Sequence, residues 1–150
     1  MRLAVDTSTL VAEALRSRGR RLLAHSALDL VAAEEAWSEA EHELARRVAL
    51  VATRQQLSIE AGRELADEVL RLMRACVRVV SGDVCAPHMV EATERMPRDR
   101  RDAPTVALAL ALQCGIWTAD RDFFGCGVPV WATETLWMYV KRQGTARVEE

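Results

Sequence analysis

The chain has 150 residues, of which 50% are hydrophobic and 28% charged, and its formal net charge is −2. This length fits one domain with a sizeable core, and the composition excludes a disordered chain. The small net charge argues against polyanion binding over the whole surface. No apolar run approaches the roughly 20 residues that cross a bilayer. The N-terminus lacks a signal-peptide layout, so we expect a cytoplasmic protein.

The predicted elements of the first half alternate between short apolar runs and segments with helical periodicity. In chain order they are a strand over 2–6, a helix from Thr7 to about 15, a short helix over 20–25, a strand over 28–32, and helices over 34–52 and 58–75. Thr7, Ser8 or Thr9 is expected to cap the first helix, and Ser58 the last of these. Gly19 is expected to separate the first two helices.

The second half continues the alternation. Its predicted elements are strands over 77–80, 116–119 and 128–131, and helices over 84–96, from 102 to about 113, and over 134–142. Pro104 suits a first helical turn, Gly115 is expected to end that helix, and Thr133 to cap the last one. The pattern predicts an α/β sandwich around a parallel sheet. We expect one domain over 1–143 and a frayed tail over 144–150.

The four cysteines have no C-x-x-C spacing, which argues against a zinc site and predicts reduced thiols. They are Cys76, Cys85, Cys114 and Cys126. Nearly all cations are arginine, and Lys141 is the only lysine. Arginine suits bidentate contacts to phosphate, although a biased genomic base composition would produce the same preference.

Three aspartates fall where a parallel sheet places ligand sites. Asp6 and Asp120 each end a predicted strand, and Asp102 begins the helix before the fourth strand. If the first and fourth strands are neighbours, these acids converge on one crevice, with Asp122 in the same loop. Crowded carboxylates need a cation to neutralise them, and ligands that are all oxygens indicate Mg²⁺ or Mn²⁺.

Each acid also has a structural interpretation. Asp102 could cap its helix, and Asp120 could be a turn residue. Glu35, Glu39 and Glu43 lie on one helix face at i, i+4 and i+8, where solvent exposure is the default. Periodicity alone does not choose among these glutamates.

Three segments together resemble the PIN-domain family, including the VapC-type toxins. They are V-D-T-S-T-L at 5–10, R-D-A-P at 101–104 leading into A-L-A-L at 107–110, and W-T-A-D-R-D-F at 117–123 followed by G-V-P-V at 127–130. Their order and spacing agree with the family over nearly the whole chain. The third segment, a strand ending in T-x-D-x-D-F, is the most specific of the three.

The resemblance implies a metal-binding and catalytic quartet of Asp6, Glu39, Asp102 and Asp120. Glu39 is the position that matches the family's helix glutamate, with Glu43 and Glu35 as alternatives. The supporting residues implied are Asp122, Thr118 as the small hydroxyl residue beside the fourth acid, and Ser8, where many relatives carry Asn. Ala33 replaces a Pro or Ser of many relatives, and neither departure removes a carboxylate.

The resemblance further implies a three-layer sandwich with strand order 3-2-1-4-5 and Mg²⁺- or Mn²⁺-dependent cleavage of RNA. Its members frequently form homodimers, and the toxins bind an antitoxin that covers the active-site groove. We therefore expect an endoribonuclease, and favour the toxin of a type II toxin–antitoxin pair. The alternatives are an RNA-processing nuclease without an antitoxin and a non-catalytic PIN-like module that binds protein.

Four arginines flank the acids in sequence and are candidates for guiding an RNA backbone toward the metal. They are Arg98, Arg100, Arg101 and Arg121. A solvated loop explains each of them equally well. A phosphotransfer enzyme of the haloacid dehalogenase type is disfavoured, because it requires an aspartate two residues after Asp6 and the sequence has Ser8 there.

Overall fold

The computed structural model describes residues 1–146 and contains a five-stranded sheet in the order β3-β2-β1-β4-β5. Every strand pair is parallel. The strands are β1 (Arg2–Val5), β2 (Asp29–Ala33), β3 (Val77–Val80), β4 (Gly115–Trp117) and β5 (Val130–Trp131). The predicted parallel sheet and its strand order are therefore confirmed.

Helices cover both faces of the sheet. In chain order they are α1 (Thr7–Ala14), α2 (Ser17–Leu23), α3 (Glu34–Arg54), α4 (Ile59–Cys76), α5 (Gly82–Cys85), α6 (Met89–Arg95), α7 (Ala103–Leu112) and α8 (Thr133–Ala146). Short 3-10 turns lie at Ala86–His88, Arg100–Asp102 and Arg121–Phe123. Helix α8 passes the predicted domain boundary at residue 143, and residues 147–150 lie outside the described part of the chain.

Alternating strand residues divide the interior into two cores. Leu3 and Val5 of β1 join the core that contains side chains of α1, α3, α4 and α8. Ala4, between them, joins the core on the opposite face, which contains side chains of α6 and α7. Successive side chains of a strand point to opposite faces, so a strand covered on both sides is apolar at every position. This arrangement is the predicted three-layer sandwich.

Helix α7 is buried along most of its length, from Ala103 to Ala109. Its sequence is apolar on every side because it packs against the sheet and against α6 at the same time. Burial of this helix fixes its first residue beside the carboxyl ends of the strands, and Asp102 immediately precedes it.

Two predicted helix ends differ in the structure. Helix α7 ends at Leu112, its C-cap residue Gln113 adopts a left-handed conformation with φ of 50°, and Gly115 is instead the first residue of β4. A Cβ at Gly115 would lie 3.1 Å from the Leu3 side chain and from the Pro129 carbonyl oxygen, so close packing explains this glycine. The predicted helix over 84–96 is broken into α5, a 3-10 turn and α6, because Pro87 fixes φ and lacks an N–H donor.

Gly19 lies inside α2 instead of separating two helices. A Cβ there would come within 2.1 Å of the Glu13 carbonyl oxygen, so the missing side chain allows α2 to pack against the end of α1. Ser58 caps α4 as predicted, by accepting a hydrogen bond from the Ala61 N–H at 3.1 Å. All four cysteines are free thiols, and no helix within residues 1–146 has the length and apolar character to cross a membrane.

Candidate active site

A polar cavity of about 290 Å³ lies at the carboxyl ends of the central strands. Its acidic lining residues are Asp6, Glu39, Glu43, Asp99, Asp102 and Asp120. The other lining residues are Thr7, Ser8, Arg46, Arg47 and Arg101. The structure thus brings together the four acids of the predicted quartet, although they are far apart in the sequence.

Asp6 and Asp120 meet because β1 and β4 are sheet neighbours. Val5 pairs with Trp117 in the register of the two strands, and the Asp6 N–H donates to the Trp117 carbonyl at 3.1 Å. Strand β4 ends at Trp117, so Thr118 and Ala119 form the short link to Asp120.

The Asp6 carboxylate is buried and held by three hydroxyl groups. Its Oδ2 accepts from Ser8 at 2.9 Å, from Thr9 at 3.2 Å and from Thr118 at 3.2 Å. All three bonds go to Oδ2, and within residues 1–146 no group donates a hydrogen bond to Oδ1, while Asp6 lines the cavity. The carboxylate is therefore oriented on one side and available to a ligand on the other.

The hydroxyl residues after Asp6 do not cap α1, which corrects the predicted role of Thr7, Ser8 and Thr9. Asp6 occupies the N-cap position and makes no capping hydrogen bond. Ser8 and Thr9 donate to the Asp6 carboxylate, while Thr7 donates to the Ala36 carbonyl on α3 at 2.9 Å. These side chains position the Asp6 carboxylate and the neighbouring helix α3 instead of capping the N-terminus of α1.

Thr118 connects two of the acids. Its hydroxyl donates to Asp6 and accepts from the Asp120 N–H at 3.0 Å. Asp120 Oδ1 in turn accepts from the Asp122 N–H at 2.8 Å, which starts the turn at Arg121–Phe123. The structural interpretation of Asp120 as a turn residue is therefore correct for one of its oxygens, and the residue also lines the cavity.

Asp102 carries the strongest electrostatic perturbation of the cavity. Burial, followed by the charges of Asp6, Asp99, Asp120 and Glu39, raises the pKa of Asp102 to about 7. Asp102 occupies the N-cap position of α7, yet its side chain makes no capping hydrogen bond. A helix cap thus does not explain this carboxylate, whereas its proximity to other acids raises its cost of ionisation.

The three candidate glutamates of α3 have different surroundings. Glu39 lines the cavity, and within residues 1–146 no side chain donates a hydrogen bond to it. Glu43 also lines the cavity but forms ion pairs with Arg46 and with Arg47, the latter at 2.8 Å. Hydrogen bonds from Arg47 and the charge of Arg46 lower the pKa of Glu43. Glu35 is not among the lining residues.

Of the four arginines predicted from the sequence, only Arg101 lines the cavity, where it pairs with Asp99 at 2.8 Å. Arg98 pairs with Asp122 at 3.2 Å outside the cavity lining, which also removes the Asp122 carboxylate from the acidic group. Arg100 and Arg121 are exposed and do not line the cavity.

Asp99, Arg46 and Arg47 line the cavity but are not among the site residues predicted from the sequence. The two α3 arginines follow Glu39 by seven and eight residues, which places them on the same helix face. That spacing was a usable signal. Asp99 had none, because it lies in an irregular loop whose path depends on α7.

The donor set suits a hard divalent cation with an open coordination sphere. Within residues 1–146 no three acidic, histidine or cysteine side chains form a ready-made metal cage. Mg²⁺ typically binds one or two carboxylates and keeps several waters, so an open group of carboxylate oxygens, among them an Asp6 Oδ1 that accepts no hydrogen bond within the described residues, fits it. Zinc is not expected, because none of the described residues that line the cavity is a cysteine or a histidine.

Comparisons with known proteins agree with this fold. One solved structure, FitAB bound to an IR36 DNA fragment, shares 20% identity over 91% of this chain and 96% of that chain, with a TM-score of 0.54. FitAcB from Neisseria gonorrhoeae shares 19% identity over 89% and 99% of the two chains, also with a TM-score of 0.54. At this identity the likeness concerns the fold. No curated protein matches the chain. The family model of the PIN domain matches residues 4–141, and the chain therefore belongs to the PIN-domain family.

Proposed function

We propose that the protein is a Mg²⁺- or Mn²⁺-dependent endoribonuclease that hydrolyses RNA phosphodiester bonds. The observation that carries this proposal is the convergence of Asp6, Asp102 and Asp120, from three separate segments, on one polar cavity at the strand ends. None of the three carboxylates forms an ion pair within residues 1–146, and a fold that only had to be stable would not keep them together, because their repulsion opposes ionisation.

Asp6, Asp102, Asp120 and Glu39 are the residues proposed to hold the cation. When bound, a divalent cation supplies an activated water at neutral pH and a positive charge that stabilises the phosphodiester transition state. Glu39 is preferred over Glu43 as the helix ligand because Arg46 and Arg47 already occupy the Glu43 carboxylate.

The other cavity residues have orienting roles in this proposal. Ser8 and Thr118 hold Asp6 Oδ2, so that Oδ1 stays available. Asp122 supports the loop through its N–H, which fixes Asp120. Arg101, with Arg98, Arg100 and Arg121 further out, is proposed to attract the phosphate backbone of RNA.

The biological setting proposed is that of a cytoplasmic toxin of a type II toxin–antitoxin pair, acting as a homodimer. Membership of the PIN-domain family supports this setting. Co-expression with the product of an adjacent small reading frame tests it, since an antitoxin is expected to copurify and to relieve growth inhibition.

The catalytic proposal is tested with the Asp6→Asn variant. We expect the wild-type protein to cleave single-stranded RNA in Mg²⁺ or Mn²⁺ and not in EDTA. Asp6→Asn is expected to abolish cleavage while circular dichroism shows an intact fold. Asp67→Asn, an exposed residue of α4, is the matched control and keeps full activity. Full cleavage by Asp6→Asn would refute the metal site, and no cleavage by the wild type would favour a binding module.

A further inference from the structure

We infer that a groove between α1 and α3 binds the sugar-phosphate backbone of single-stranded RNA beside the cleavage site. The inference rests on the proposed nuclease function and adds to it a path for the substrate. The groove has a volume of about 630 Å³. Its lining residues are Ala12, Leu15, Arg16, Glu43, Arg46, Arg47, Leu50, Val51 and Arg54.

The groove is continuous with the acidic cavity. Glu43, Arg46 and Arg47 line both. Helix α3 supplies one wall from Glu43 at this shared border to Arg54, and at a rise of about 1.5 Å per residue this part of the helix extends over about 16 Å. A strand that enters the cavity therefore has a direct route along α3, with α1 as the opposite wall.

The formal charge reverses between the two compartments. Six carboxylates and three arginines line the cavity, whereas four arginines and one glutamate line the groove. A cavity that is negative without its cation repels phosphate, so a neighbouring positive surface is needed to bring the backbone close. Lys and Arg side chains along a groove supply that attraction to nucleic acid.

The arginines of the groove differ in whether they form ion pairs with carboxylates. Arg46 and Arg47 share Glu43, which leaves one net positive charge on the three side chains. Arg16 contacts Glu13 only at 3.4 Å, and its side chain is 70% exposed. Within residues 1–146 no carboxylate forms an ion pair with Arg54. Arg16 and Arg54 are therefore the groove cations most available to phosphate.

Part of the groove lining is apolar, which favours a single strand. Leu15, Leu50 and Val51 contribute to it, and Leu50 is 56% exposed. A duplex stacks its bases internally and offers only its backbone and groove edges to a protein. A single strand can lay base faces on an aliphatic surface while its phosphates contact the flanking arginines.

The test measures the salt dependence of RNA binding by fluorescence anisotropy. The probe is a fluorescein-labelled single-stranded RNA of about 16 nucleotides, in EDTA, between about 50 and 200 mM salt. Each lost phosphate contact reduces the slope of log affinity against log salt by about 0.7. The double variant Arg16→Gln with Arg54→Gln is expected to lose about 1.4 of the slope and roughly 20-fold in affinity at 0.1 M salt.

Arg71→Gln is the matched control, because Arg71 is an exposed arginine of α4 outside the groove. Its affinity and slope are expected to equal those of the wild type. If the double variant melts at a lower temperature, Arg54→Gln alone replaces it, since no described carboxylate depends on Arg54. That variant is expected to lose about 0.7 of the slope.

Cleavage of the same RNA in Mg²⁺ separates this inference from the proposed function. If the wild type cleaves while the double variant binds with unchanged affinity and slope, the inference is wrong. The groove would then be a candidate binding site for a protein segment instead of RNA. If arginine-dependent binding occurs without cleavage, the groove assignment stands and the nuclease proposal falls. If the wild type neither binds nor cleaves RNA, both are wrong.

Discussion

Replacing Asp102 by asparagine is expected to stabilise the metal-free protein while it removes a proposed metal ligand. The pKa of this carboxyl is raised from 3.8 to about 7 by burial and by four neighbouring acids. Above pH 7 the group is ionised in both the folded and the unfolded chain, so the folded protein carries the full unfavourable interaction. Asparagine has a similar shape and no charge, and the interaction disappears.

The size of the effect follows from the shift. At 1.36 kcal/mol per pKa unit, a full shift of this kind corresponds to about 4 kcal/mol. Asp102 is only half-buried, and solvent screening reduces the expected stabilisation to about 1–2 kcal/mol at pH 8. For a domain of this length, that raises the melting temperature by about 3–6 °C.

The sign of the pH dependence is specific. Because the folded pKa is raised, protons bind more tightly to the folded state, and the penalty decreases as pH falls from 7 toward 3.8. The stabilisation by Asp102→Asn is therefore largest above pH 7 and smallest near pH 4. Thermal denaturation in EDTA at pH 8 and pH 4.5, followed by circular dichroism, measures it, with Asp67→Asn as control.

Two results would refute this reasoning. An equal stabilisation by Asp102→Asn at both pH values would mean that charge is not its cause. A loss of stability at pH 8 would mean that the carboxylate has favourable partners in the folded chain. Addition of Mg²⁺ at pH 8 is expected to raise the melting temperature of the wild type more than that of the variant, because the cation binds only the folded state.

Three further substitutions test other parts of the structure. Glu39→Gln is expected to reduce RNA cleavage at least tenfold in a steady-state assay, and Glu35→Gln, outside the cavity, to leave it unchanged; equal activities would exclude Glu39 as a ligand. Gly19→Ala is expected to cost on the order of 3 kcal/mol in urea unfolding, because its Cβ would meet the Glu13 carbonyl at 2.1 Å; an unchanged midpoint would contradict that contact. Ser58→Ala removes the α4 cap and should cost about 1 kcal/mol in the same experiment, and no loss would show that the cap is dispensable.

The secondary structure could be predicted largely from local pattern, and that pattern fails where a side chain has partners distant in sequence. Ser58 was predicted as a cap from the helix-start pattern at 58–61, and its partner, the Ala61 N–H, lies within that pattern. Thr133 was predicted to cap α8 and does not, since the helix begins at Thr133 itself and the Leu136 N–H donates to the Ala132 carbonyl. Its hydroxyl accepts from Trp117 and donates to Glu13 inside the core. Partners so distant in sequence are invisible to a local rule.

The sequence by itself determined the layered fold and the edge of the sheet where the acids meet. Apolar runs bounded by helical periodicity require a parallel sheet covered on both faces, and Asp6 and Asp120 follow two of those strands. The family motifs added Asp102 and Glu39.

Only the tertiary structure decided what each charge does. Glu43 and Glu39 are indistinguishable by helical spacing, yet Arg46 and Arg47 pair with Glu43 and leave Glu39 to the cavity. From the sequence Asp102 is a possible helix cap. In the fold its carboxylate makes no capping hydrogen bond and lies close to other acids. The physical reason is that electrostatic interactions depend on distance and burial across the whole chain, whereas a local pattern records only which face a residue occupies.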